Sequence, residues 1–132
     1  MSTPKIPPPH WQDIPGAPEV GTRLAHIDEI VDGAAILVTL DTCEPPFKVI
    51  ILRSDTQLFA YVNRCAHFGV PLANRVEHLY PEAHQNIRCS VHYARYRWQD
   101  GLCISGECEG ESLIPIPVTI SGEHVLIAAN EA

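Results

Sequence analysis

From Gly21 onward the apolar and polar positions change over in short runs, with no sustained 3.6-residue period. Ala34 to Leu40, Phe47 to Arg53 and Leu58 to Val62 are rich in apolar and β-branched residues, the composition of half-buried strands. Ser54 to Gln57 reads as the turn between the last two. Ile87-Arg88 and Tyr93 to Gln99 form a further pair of short strand signals. Asp100-Gly101 follows as a hairpin signal, because a type I′ turn needs positive φ. Pro115 and Pro117 interrupt Leu113 to Ile120 and demote it to an edge strand. Ser121 to Glu123 turns the chain into His124 to Ala129. Ala73 to Tyr80 has room for a helical turn at most. The pattern predicts an all-β fold: one small antiparallel domain over residues 19–132 with two long loops. Residues 1–18 hold six of the twelve prolines and read as a Pro-rich N-terminal arm, extended or disordered. Trp11 either anchors that arm to the body or stands exposed.

A length of 132 residues fits a single domain. Apolar residues at 45% and charged residues at 19% are a globular balance. The longest apolar runs, such as Val49 to Leu52, are too short for a membrane span. The N-terminal stretch lacks the apolar region of a secretory signal, so a soluble cytoplasmic protein is expected. The formal charge of −7 argues against nucleic-acid and anionic-membrane partners. That charge is uneven. From Arg64 to Arg97, five arginines (64, 75, 88, 95, 97) face two acids (Glu77, Glu82), giving +3 and leaving −10 for the rest. Solvated surface charge explains this adequately; the sharper reading is a basic rim that orients a partner.

The five cysteines, Cys43, Cys65, Cys89, Cys103 and Cys108, do not suit a secreted disulfide framework. Two of them stand beside histidines, in Cys65-Ala66-His67 and Cys89-Ser90-Val91-His92. Each segment offers one thiolate and one imidazole, and each follows a predicted strand. Four such ligands suit zinc or an iron–sulfur cluster. Structural zinc usually pairs like ligands. Here each pair is mixed, and a two-iron cluster accounts for that: Cys65 and Cys89 on one iron, His67 and His92 on the other. Zinc stays open as the competing reading. Cys103 and Cys108 are expected as buried thiols, with a disulfide between them less favoured. Of the other histidines, His78 and His84 lie beside the loops, and all are read as surface or packing residues.

These motifs resemble the Rieske family, whose pattern is Cys-x-His followed by Cys-x-x-His. The 21 residues between His67 and Cys89 are somewhat long, the extra length falling at His78 to Gln85. Phe68-Gly69, Pro71-Leu72, the stretch Tyr96 to Gly101 and the loop Gly106 to Leu113 with Pro115 and Val118 also resemble the family. The resemblance implies one [2Fe–2S] cluster held by Cys65, His67, Cys89 and His92. Two ferric ions, two sulfides, two thiolates and two neutral imidazoles make a neutral oxidised site. That is why His ligation raises the potential to about −150 to +300 mV, against about −400 mV for plant-type ferredoxins. The high-potential branch has two further cysteines where this chain has Val70 and Val91. It also has a Ser where this chain has Ala94, while its Tyr is matched by Tyr96. Hydrogen bonds to sulfur stabilise the reduced state, so one missing donor predicts the low-to-middle part of the range. Tyr96 is a candidate donor to a cysteine sulfur, or an ordinary strand aromatic. Glu107, in the closing loop, would disfavour reduction.

By that resemblance the chain is expected to be an electron-transfer protein of the Rieske ferredoxin type, not itself an enzyme. Its partners would be a flavin reductase as donor and a terminal oxygenase, or another oxidoreductase, as acceptor. The rivals are a small subunit of a larger oxidoreductase, of the nitrite-reductase small-subunit type, and a zinc-stabilised binding module. An oxygenase needs a further mononuclear iron site, typically two His and one carboxylate; the residues after Val118 offer no such set. Docking is expected at the tip, where His67 and His92 should lie nearer the surface than the two cysteines.

Overall fold

The computed structural model describes residues 11–14, 16–41, 46–64, 79, 82, 84–88, 94–105 and 111–128. Within them the fold is all-β, and every strand pairing is antiparallel. The strands are β1 (Arg23–His26), β2 (Ala35–Leu40), β3 (Phe47–Ser54), β4 (Gln57–Val62), β5 (Asn86–Arg88), β6 (Arg95–Arg97), β7 (Cys103–Ser105), β8 (Pro115–Ile116), β9 (Val118–Ser121) and β10 (His124–Ile127). They form three sheets with strand orders β1-β10-β9, β2-β3-β4-β8 and β5-β6-β7. Helical structure among the described residues is limited to 3₁₀ turns at Trp11–Asp13 and Ile27–Glu29 and to Leu79.

The β2-β3-β4-β8 sheet lies between two cores, and the sequence of β3 states why. Val49, Ile50, Ile51 and Leu52 are all fully buried. Successive strand residues point to opposite faces, so an unbroken apolar run needs apolar partners on both. Val49 and Ile51 join a core with Trp11, Leu24, Phe47, Val125 and Ile127. Ile50 and Leu52 join the other, with Ile87, Tyr96, Trp98, Cys103 and Leu113. Strand β4 divides in the same way, sending Ala60 and Val62 to the first core and Tyr61 to the second. At about 1.5–3 kcal/mol for each large side chain fully buried, these positions fix the β2–β4 register.

Three expectations are refined by the structure. The Leu113–Ile120 stretch is not one edge strand. It splits at Pro117 into β8, at the edge of the middle sheet, and β9, at the edge of the β1-β10-β9 sheet. Proline lacks an amide donor, which suits it to this switch; the Pro117 carbonyl still accepts from the Ala128 amide at 2.9 Å. The Asp100-Gly101 turn is also not of type I′. Only Gly101 has positive φ, at 71°, and residues 98–101 form the loop, with the Gly101 amide donating to the Arg97 carbonyl at 2.9 Å. Finally, Trp11 is 1% exposed, so the described part of the N-terminal arm is docked by a core residue. Most of Ala73 to Tyr80, together with Cys43 and Cys108, lies outside the described residues.

Candidate metal centre

Cys65, His67, Cys89, His92 and Glu107 lie outside the described residues; the strands that lead into and out of their segments lie within them. The first segment leaves the middle sheet at the end of β4. There the Val62 amide donates to the Ile114 carbonyl at 2.9 Å, and the Asn63 amide to the Lys48 carbonyl at 2.9 Å. The Arg64 amide donates to the Val62 carbonyl at 2.8 Å, so the chain turns immediately before Cys65. The second segment joins the two strands of a hairpin. Asn86 pairs with Arg97, Ile87 with Tyr96 and Arg88 with Arg95, and residues 89–94 connect them. The closing segment, 106–110, runs between residues that are themselves tied down. The Cys103 amide donates to the Glu111 carbonyl at 2.8 Å, and Leu102 bridges Ser112.

One core underlies all three stems. Tyr61 from β4, Ile87 from β5, Ala94 and Tyr96 beside β6, Cys103 from β7 and Leu113 pack together. Side chains locked by packing on strands hold the ends of loops more closely than loops hold themselves. Tyr61 adds a polar tie: its hydroxyl donates to the Trp98 carbonyl at 2.5 Å. Burial, and secondarily the nearby Asp100 carboxylate, push the Tyr61 phenol well above its ordinary pKa, so it stays a neutral donor. The hairpin loop is closed by an Arg97–Asp100 pair. The Arg97 guanidinium, its main cause, holds the Asp100 carboxyl below the usual carboxylate range, and the Leu102 amide donates to Asp100 at 3.0 Å. Cys103 is buried, with its thiol directed at the Ser105 carbonyl at 3.3 Å.

The donor set fits a two-iron cluster. Each of the two stemmed segments carries one thiolate and one imidazole, and both are stemmed on the same core. Tyr96, the candidate tuning residue, is fully buried in that core two residues beyond Ala94.

The histidines are more engaged than their spacing indicates. His84 has φ of 64°, rare for a non-glycine residue. Its Nδ1 lies 2.6 Å from the Ser54 hydroxyl and its Nε2 3.8 Å from Asp32. Asp32 in turn accepts the Asp55 amide at 2.6 Å. This chain of contacts pins the segment before β5 to the β3–β4 turn. His26 faces His124 across β1 and β10, and contacts Glu123 at 3.1 Å. Partners 30 and 97 residues distant are invisible to local spacing. Among the described residues, no group of three or more His, Cys, Asp or Glu side chains forms another metal site. No described helix is long and apolar enough to cross a membrane.

An antiparallel domain that stems two Cys/His segments on one core is a frame suited to a metal centre, and comparison with known proteins gives the family. The profile of the Rieske [2Fe-2S] domain matches residues 22–124, and the chain belongs to that family. A curated relative is the terminal oxygenase component CarAa of carbazole 1,9a-dioxygenase from a Sphingomonas species. It is 33% identical over 95 residues, 72% of this chain. The match spans about a fifth of that relative's length, 21%. Among solved structures, the ferredoxin of carbazole 1,9a-dioxygenase from Nocardioides aromaticivorans IC177 superposes with a TM-score of 0.61 at 20% identity, over 85% of this chain and all of that one. The Sphingomonas yanoikuyae B1 ferredoxin gives 0.65 at 20% identity, over 83% of this chain and 99% of that one. The terminal oxygenase of carbazole 1,9a-dioxygenase from Novosphingobium sp. KA1 also gives 0.65, at 23% identity, over 84% of this chain but 30% of that one. The shared element is the Rieske fold.

Proposed function

We propose that this chain is a one-electron carrier of the Rieske ferredoxin type. In this reading Cys65 and Cys89 hold one iron of a [2Fe–2S] cluster, and His67 and His92 hold the other. The observation that carries the reading is the pair of mixed Cys/His segments, stemmed by β4 and by the β5–β6 hairpin on a single core, in a chain of the Rieske family. The cluster supplies a site that takes up and releases one electron at a potential raised by neutral imidazole ligands. The protein's own part is to hold the four ligands in one arrangement in both oxidation states. The backbone ties at Val62–Arg64 and the Arg88–Arg95 pairing do this at the stems. Tyr96 tunes the site by donating to a cysteine sulfur, and Glu107 opposes reduction by its charge.

The electron is delivered by a flavin reductase and passed to a terminal oxygenase. Support for the oxygenase comes from the superposition of 85% of this chain on a ferredoxin of carbazole 1,9a-dioxygenase, and from the 33%-identical relative, itself an oxygenase component. That same relative favours a second reading, in which the chain is the Rieske part of a larger oxidoreductase assembly.

EPR of the dithionite-reduced protein, with iron and zinc analysis, tests the assignment. Two irons per chain and a rhombic S = ½ signal of low average g are expected. One zinc and no iron, even after anaerobic reconstitution, would leave a zinc-stapled binding domain instead. Gel filtration of native extract separates the two redox readings: a stable large complex favours the assembly, and a small freely migrating species favours the carrier.

A further inference from the structure

Four of the five arginines counted between residues 64 and 97 are among the described residues, and the structure sorts them. Along β5 and β6, residues 86 and 88 share a face with their cross-strand partners 97 and 95, while Ile87 and Tyr96 point into the core. The face opposite the core therefore carries Asn86, which is itself buried, and Arg97, Arg88 and Arg95. At one end, Arg97 is neutralised by Asp100, and the Asn86 amide group donates to Glu82 at 3.1 Å. At the other end, Arg88 and Arg95 stand directly opposite one another. Both are partly exposed, and neither forms an ion pair with a described residue. Like charges directly opposite across a pair of strands destabilise an isolated sheet. This pair is also the one next to the second ligand segment: Arg88 immediately precedes Cys89, and Arg95 follows His92 by three residues. Arg64, exposed, immediately precedes Cys65. On the neighbouring strand, β7 shifts register opposite Arg95, and Ile104 there is 41% exposed.

We infer that the outer face of the β5-β6-β7 sheet, with Arg88 and Arg95 as its charged pair and Ile104 as its apolar contact, docks the acidic face of a redox partner protein. The inference rests on the electron-carrier reading. A pair of positive charges that no described residue neutralises, on a chain of net charge −7, is complementary to carboxylates. It directs such a partner to the hairpin that carries the second ligand segment and turns a basic partner toward other faces. The partly apolar face with a charged margin matches the anatomy of protein interfaces.

The test uses the cluster-loaded, reduced chain and two one-electron acceptor proteins of opposite charge, acidic plastocyanin and basic cytochrome c. In each reaction one electron leaves the chain and reduces the acceptor metal, with no other exchange. Stopped-flow rates are compared for the parent, Arg88→Gln/Arg95→Gln, Arg88→Lys/Arg95→Lys and, as a remote control on β1, Arg23→Gln. The Gln pair should slow oxidation by plastocyanin on the order of tenfold at ~10 mM ionic strength and about two- to threefold at ~150 mM, following Coulomb attraction and its screening. It should leave cytochrome c unslowed. The Lys pair should retain most of the plastocyanin rate, and Arg23→Gln should stay within about twofold of the parent. A Gln pair with intact EPR signal and parental plastocyanin rates at both ionic strengths overturns the docking surface and leaves the carrier reading standing. A parent chain with no iron after reconstitution overturns the carrier reading and the surface with it.

Discussion

Replacing Gly101 with alanine should damage this fold more than its size suggests. Gly101 sits at φ of 71°, where an L side chain costs roughly 1–2 kcal/mol. A Cβ there would also lie 2.8 Å from Cε1 and 3.2 Å from Cδ1 of Tyr61, and 3.2 Å from the Leu113 Cβ. Neither neighbour yields easily. Tyr61 is 3% exposed and bound through its hydroxyl to the Trp98 carbonyl, and Leu113 is 1% exposed and donates its amide to the Gly101 carbonyl. Overpacking of this kind costs about 1–3 kcal/mol, for a total near 3 kcal/mol. Gly122 supplies the control: its φ is 61°, and nothing lies within 4 Å of a Cβ built there. Gly122→Ala should therefore cost only about 1 kcal/mol. At roughly 3–5 °C per kcal/mol for a chain of this size, Tm should fall by about 10–15 °C for Gly101→Ala and by about 3–5 °C for Gly122→Ala. Thermal melts followed by far-UV CD and by cluster absorbance give both values. In a Tyr61→Leu background the contacts with the ring are removed and only the Leu113 contact remains, so Gly101→Ala should cost less than in the parent. Equal drops for the two alanine variants in the parent would refute the steric argument.

Three further outcomes are expected. Trp11→Ala should destabilise by about 3–5 kcal/mol, because it empties a fully buried site; a urea melt within ~0.5 kcal/mol of the parent would mean that the arm contributes nothing to the body. The Asp100 carboxyl is held below its ordinary pKa, chiefly by Arg97, so its stabilisation is present above the unfolded pKa of about 3.9 and is lost as pH falls through the lower folded value. Because the pair is exposed, the effect should be small. Asp100→Asn should thus lower Tm slightly at pH 6, with the gap to the parent closing as pH falls below the ordinary carboxylate range; a gap that widens on acidification would contradict that sign. Tyr96→Phe, which removes the proposed donor to sulfur, should lower the reduction potential by about 40 mV, taking the bond as ~1 kcal/mol and ~59 mV per tenfold change. An unchanged potential in redox titration would make Tyr96 a packing residue.

Much of this was legible from local pattern. The strands β2, β3 and β4 fall within a residue of the runs that predict them, because binary pattern and β-branched content agree there. The two Cys/His segments stand at strand ends, as their positions in the pattern indicate. What escaped depends on contacts distant in sequence. Nothing near Ser54 announces a hydrogen bond to His84, and nothing near Tyr61 announces that its ring closes over Gly101. Asp100-Gly101 suggested the commonest two-residue turn, yet the loop takes four residues with a single left-handed glycine, because the β6–β7 register is set by Tyr96 and Cys103 in the core. Pro117 was correctly read as interrupting a strand. That it redirects the chain from one sheet to another depends on where β10 lies, and no local signal carries that.

The division of the sheets bears on how such a chain could carry electrons. The proposed ligand segments leave from two different sheets, β4 of the middle one and the β5–β6 hairpin. Two sheets could slide against each other, and a four-ligand site spread over both would then be only as rigid as their contact. That contact is unusually constrained. Tyr61 reaches from β4 into the hairpin's core and bonds the Trp98 carbonyl; Gly101 admits the ring at close range; and the Leu113 amide, just before β8, returns to the Gly101 carbonyl. On the far side, His84 joins the segment before β5 to Ser54 and Asp32 around the β3–β4 turn. The middle sheet is held from both ends of the hairpin layer. Ligands that keep one geometry through a change of charge need such preorganisation from the groups behind them; if the proposed segments hold a cluster, Tyr61, Gly101 and His84 are the residues that tie their stems together.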